Sequence, residues 1–169
     1  MKLDILAFGA HPDDIELGCG GTLIKHISLG NQVGIIDFTT GDLGTRGTSE
    51  IRLNEAQNAA NLMGLSIREN LNFKDGFFQN DDFHKKALIK MIRKYQPEIV
   101  LTNAPSDRHP DHGRASQLTI DACFLSGLEK IDTNQDVWRP KAIYHYIQFN
   151  NLIPDFVVDI SDYFNKKIE

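Results

Sequence analysis

Short apolar runs alternate along the chain with longer stretches in which apolar residues recur every three or four positions. Leu3–Phe8 and Gln32–Thr39 read as two buried strands, with a helix over about Gly21–Leu29 between them that Gly30 ends. Thr40–Thr48 is a glycine-punctuated loop. Ser49 then caps a helix that reaches Met63 and stops at Gly64, with Ile51, Ala56, Ala59, Ala60 and Met63 on its apolar face. Ile67–Phe73 is a weaker strand, and Lys74–Asn80 a polar and aromatic loop. The next helix starts at Asp81 or Asp82, shows an apolar face of Phe83, Ala87, Leu88, Met91, Ile92 and Tyr95, and ends before Pro97. Glu98–Asn103 is a fourth strand, Ala104–Gly113 a loop and about Arg114–Ser126 a helix. Beyond a polar linker to Arg139-Pro140, Ala142–Gln148 and Phe156–Ile160 read as two further strands, with Ser161 as the cap of a last helix.

Repeated βα units with apolar strands predict an α/β fold: a Rossmann-like, doubly wound, mostly parallel sheet with helices on both faces. In the strand order 3-2-1-4-5, strands one and four are neighbours, and ligands bind in the crevice at their C-terminal ends. Two turns of similar design follow those two strands: His11-Pro12-Asp13-Asp14 and His109-Pro110-Asp111-His112. Topology alone therefore brings them together, although nearly a hundred residues separate them.

Residues three apart in a tight turn share a side, so His11 with Asp14, and His109 with His112, can point together. His11, Asp14 and one histidine of the second turn make two nitrogens and an oxygen; spacing leaves open which histidine joins. Three protein ligands leave a fourth position for water, the mark of a catalytic rather than a structural zinc site. Zinc lowers the pKa of such a water to roughly 7. Asp13, beside the ion but displaced from it, is placed to act as general base. A His₂Asp set also admits Fe²⁺ or Mn²⁺. A single His-Pro-Asp turn is ordinarily only a turn; two of them at the ends of adjacent strands point to a shared metal. Gly18-Cys19-Gly20-Gly21 lacks the spacing of a phosphate-binding loop and reads as close packing, with Cys19 a packed hydrophobe.

Composition narrows the setting. At 169 residues the expectation is a single domain, 1–169. A net charge of −5, without a Lys/Arg stripe, gives no reason to expect nucleic acid. No run approaches eighteen apolar residues, so no membrane partner is expected. Two cysteines make no disulfide framework, which suits a reduced cytoplasm.

With these residues in view, the chain resembles the LmbE/PIG-L family of zinc-dependent de-N-acetylases over nearly its whole length. The resemblance rests on Ala10–Asp14 with the glycines after it, Thr40–Gly47, Ile51–Ala56 and His109–His112. Within the family it looks most like the branch of bacillithiol biosynthesis that deacetylates N-acetylglucosaminyl malate. It implies one zinc ion on His11, Asp14 and His112, with Asp13 as base. It further implies His109 as oxyanion donor with Asp111 as its charge partner, the leaving amine taking its proton from Asp13 or His109, and sugar contacts from Arg46, Arg52, Asp75 and Arg108. A small N-acetylglucosaminyl substrate and association into a homo-oligomer follow from the same resemblance. Members of the branch usually continue several dozen residues past Glu169, in a segment expected to cover part of the pocket. A metal- or sugar-binding domain without turnover is the alternative; a two-metal phosphoesterase would need more carboxylates than this crevice offers.

Overall fold

A computed structural model describes residues 1–169. Its centre is a five-stranded sheet of β1 (Ile5–Gly9), β2 (Val33–Thr39), β3 (Ile67–Phe73), β4 (Ile99–Asn103) and β5 (Ala142–Tyr146). The order is β3-β2-β1-β4-β5 and every pairing is parallel. The crossovers are α1 (Asp14–Ser28), α2 (Ser49–Met63), α3 (Asp82–Tyr95) and α4 (Pro110–Leu125); α5 (Phe164–Ile168) closes the chain after a single 3₁₀ turn at Ser161–Tyr163.

Alternation along the strands divides the core into two layers. Leu6, Phe8, Ile36, Phe38 and Val100 pack on one face with Leu88 and Ile92 of α3 and Leu118 of α4. Ile5, Ala7, Val33 and Ile35 pack on the other with Ile15 and Leu23 of α1 and Met63 of α2. Between β2, β3 and α1, the buried Arg68 guanidinium forks onto Asp37 at 2.7 and 3.0 Å and also reaches Glu16 and the Ala56 carbonyl. That fork fixes the start of α1 against the sheet.

Six assignments differ from the sequence reading. α1 begins at Asp14, not near Gly21, so the glycines lie inside the helix. They are packing glycines there: a Cβ on Gly18 would stand 2.4 Å from the Tyr146 ring, and one on Gly21 2.4 Å from Ile160. α4 likewise begins at Pro110 rather than Arg114, because proline at the first helical position is preorganised and loses no hydrogen bond there. Thr48, not Ser49, caps α2, accepting from the Ile51 N–H. Phe156–Ile160 pairs with no strand, β5 ends at Tyr146, and Ser161 bonds Asp159 instead of capping a helix.

Candidate active site

Both His-Pro-Asp turns are helix N-termini. One links β1 to α1, the other β4 to α4, and they meet at the C-terminal edge of the sheet. The His11 and His109 ring centroids lie 4.7 Å apart, and those of His11 and His112 5.7 Å. Asn103, at the end of β4, stitches the two loops: its Oδ1 accepts the Ala10 N–H at 3.1 Å and its Nδ2 donates to Asp14 Oδ2 at 3.2 Å.

His11, Asp14 and His112 converge, with Asp14 in the middle. His112 Nε2 is 3.1 Å from Asp14 Oδ1, and His11 Nδ1 is 3.4 Å from Asp14 Oδ2. The opposite nitrogen of each imidazole meets a carboxylate. His112 Nδ1 is 2.7 Å from Asp107 Oδ2; His11 Nε2 is 3.1 Å from Asp75 Oδ1 and 3.4 Å from Asp111 Oδ2. A histidine backed by a carboxylate on one nitrogen and free on the other is the arrangement that metal-ligating histidines adopt. The donor set therefore fits a divalent ion. The nitrogens of His11, His109 and His112 also lie within 4.8 Å of one another. His109, however, has no carboxylate behind it; its Nδ1 accepts the Asp111 backbone N–H at 3.3 Å and so caps α4.

Charge follows this geometry. Burial opposes a proton on His11, but Asp111, Asp14 and Asp75 prevail and push its pKa up to about 10. His112 rises for the same reason, with Asp14 and Asp107 overcoming its burial. Asp14 is held well below the carboxylate range, because hydrogen bonds and charge from the two histidines outweigh its burial. His109 moves the other way, lowered by burial and by the nearby charge of His11. Partial burial and the adjacent Asp14 charge raise Asp13.

The cleft over these groups measures about 270 Å³, and Asp13, Arg52, Arg108, His109 and Phe149 reach its wall. Arg52 donates to the Gly41 carbonyl at 2.8 Å and comes within 3.3 Å of Asp13 Oδ2. Arg108 lies over the Phe149 ring, 4.6 Å from its centroid.

Three expected substrate or charge contacts sit differently. Asp75 is 4% exposed at the cleft, and its oxygens already engage His11 at 3.1 Å and the Leu43 N–H at 2.9 Å, so in this structure it supports a histidine. Arg46 is exposed on the loop before α2 and does not line the cleft. The Asp111 carboxylate makes no hydrogen bond to His109, although its charge works against the burial that lowers the His109 pKa; its partners are Arg114 at 2.7 Å, the Gly76 N–H at 2.9 Å and His11. Asp107, Asn103, Gln148 and Arg114 went unnoticed in the sequence. Asp107, two residues before His109, and Arg114, two after His112, lay close enough to a motif to have been suspected.

A sequence model of the PIG-L family, GlcNAc-PI de-N-acetylase, matches residues 6–123. The chain belongs to this family. Among its PIG-L relatives, YaiS, an uncharacterized deacetylase of Escherichia coli, is 40% identical over 126 residues, which cover 70% of this chain and 67% of YaiS. The diacetylchitobiose deacetylase of Thermococcus kodakarensis is 30% identical over 177 residues, covering 97% of this chain and 66% of that protein. The chain thus spans about two thirds of the length of these two PIG-L relatives. The crystal structure of the conserved protein TT1542 from Thermus thermophilus superimposes with a TM-score of 0.94 at 37% identity, over 98% of this chain and 75% of that one. The five-stranded parallel sheet is the fold of the PIG-L family.

Proposed function

We propose that residues 1–169 form one zinc-dependent N-deacetylase domain that hydrolyses the acetamide of a small N-acetylglucosaminyl conjugate, with N-acetylglucosaminyl malate as the leading candidate substrate. The observation that carries this reading is the convergence of His11 and His112 on Asp14, each imidazole backed by a carboxylate, with the uncommitted Asp13 beside them. Membership of the PIG-L family and the similarity to a diacetylchitobiose deacetylase support the substrate class. The malate aglycone rests on the resemblance of the Leu6–His11 and Asp107–His112 stretches.

His11, Asp14 and His112 would hold the ion, and Fe²⁺ or Mn²⁺ suits the same donors. When bound it supplies Lewis acidity and makes water acidic enough to ionise near neutral pH. Asp13, which carries no hydrogen bond that commits it elsewhere except the approach of Arg52, accepts the proton of the attacking water. Because His109 Nδ1 accepts the Asp111 N–H, its neutral form carries hydrogen on Nε2, and that N–H donates to the oxygen on which negative charge develops. Asp13 then passes its proton to the departing nitrogen, the C–N bond breaks, and acetate and the free amine leave. Asp75 and Asp111 hold His11 in place, and Arg52 and Arg108 face the sugar and its aglycone.

The test is acetate release from N-acetylglucosaminyl malate, beside free N-acetylglucosamine, with metal content measured in parallel. Asp13→Ala is expected to keep its metal and lose ~10²–10⁴-fold in acetate release, whereas His11→Ala loses the metal itself. Full activity in Asp13→Ala would remove the assigned base; a metal-loaded chain that releases no acetate from any such conjugate would leave a binding domain.

A further inference from the structure

The segment that leaves β5 doubles back onto the candidate site and touches it in three places. Gln148 donates its Nε2 hydrogen to Asp14 Oδ1 at 2.8 Å. The Phe149 ring lies nearly parallel to that of His112, at a 12° interplanar angle with centroids 5.8 Å apart. The backbone N–H of Asn150 donates to Asp107 Oδ1 at 3.2 Å. All three residues lie outside the stretch 6–123 that matches the family.

We propose that Gln148 is a positioning residue that makes Asp14 a one-oxygen ligand, an inference that rests on the metal reading above. An ionised carboxylate has about four acceptor positions, two on each oxygen. Both positions of Asp14 Oδ2 are taken, by the His11 backbone N–H at 3.0 Å and by Asn103 Nδ2 at 3.2 Å. Gln148 takes one position of Oδ1, and the remaining one faces His112 Nε2 at 3.1 Å. A single hydrogen-bond position is therefore left on Oδ1, on the His112 side, while His11 Nδ1 stands 3.4 Å from the filled Oδ2. Asn103 ends β4 and Gln148 lies two residues past the neighbouring β5, so the carboxylate is held from the end of one strand and from the segment that leaves the next. Without the Gln148 donor, the edge of Oδ1 is loose. The carboxylate can then turn, shed its Oδ2 donors and present both oxygens.

Cobalt(II) is the probe, because its visible absorption is intense at low coordination number and weak at higher number. The whole chain is titrated with Co²⁺ and compared with Gln148→Met, Gln148→Ala and His11→Ala, thermal unfolding confirming that each variant is folded. The unaltered chain is expected to bind one Co²⁺ with an intense band, and His11→Ala to bind none. Gln148→Met and Gln148→Ala are expected to bind Co²⁺ about 10–100-fold more weakly, with a weaker band. Unchanged affinity and spectrum in the folded Gln148 variants overturn the proposal and leave the metal reading standing. No uptake of Co²⁺ by the unaltered chain overturns both.

Discussion

Asp13 and Asp14 are neighbours of identical chemistry, and the start of α1 gives them opposite surroundings. Asp14 turns inward, 2% exposed, and takes hydrogen bonds from its own turn and from the ends of β4 and β5. Asp13 stays at the cleft wall, where Arg52 is its salt-bridge partner. The two histidines facing Asp14 carry a consequence for pH. Raised in the folded chain to about 10, His11 holds its proton through neutrality when no metal is present, and Asp14 and Asp107 raise His112 in the same direction. The two histidines' contribution to the metal-free fold is complete below the unfolded value near 6.5 and fades as pH rises, for His11 through about 10. Ligation requires neutral imidazoles, so Zn²⁺ must displace those protons. Calorimetric titration at pH 7.5 in buffers of different ionisation enthalpy is expected to show up to about two protons released per ion, with affinity climbing as pH rises. Buffer-independent heats would show that the histidines are already neutral.

At the scale of elements, the sequence reading placed the site better than it placed the helices that carry it. His-Pro-Asp reads as a turn because proline presets φ for position two of a type I turn. The same φ suits the first residue of a helix, and nothing local distinguishes the two uses. Both helices therefore start earlier than their apolar pattern does, with their opening turns polar because those turns are the site. The glycines of α1 were read correctly as packing residues, though not as helical ones; what they approach, Tyr146 and Ile160, comes from the far end of the chain. Gly18 is the sharper case, since the ring it meets is buried and its hydroxyl donates to the Phe8 carbonyl at 3.1 Å. Gly18→Val is expected to destabilise the fold by about 1–3 kcal/mol through overpacking, read as a lower urea midpoint with the slope unchanged. A neutral result would mean that Tyr146 moves aside without cost.

At the scale of the molecule, the sheet order and the meeting of the two turns were legible, because strand periodicity and right-handed crossovers leave few topologies open. The polar shell was not. Asn103 and Gln148 carry no local signal, since each is defined by what the completed sheet sets opposite it, and Asp107 has only its place beside a motif. Asp75 shows the same limit from the other side: its turn was recognised, but only the packed loop shows that its carboxylate faces His11. No helix of the structure is long and apolar enough to cross a membrane.

The Asp14–Gln148 hydrogen bond joins residues 134 positions apart. Space describes that contact as a clamp; in time it is an ending. Contacts so distant along the chain cost the most loop entropy to close and form after the local βα units that they tie together. With β5 docking after the rate-limiting barrier, as this order predicts, the hydrogen bonds that surround Asp14 are complete only then. Stopped-flow refolding with and without Zn²⁺ is expected to give one folding rate and two unfolding rates, the slower belonging to the loaded chain. An ion that speeds folding would place the shell in the nucleus instead. On this schedule the metal does not guide the chain to its fold; it sets how long the fold lasts.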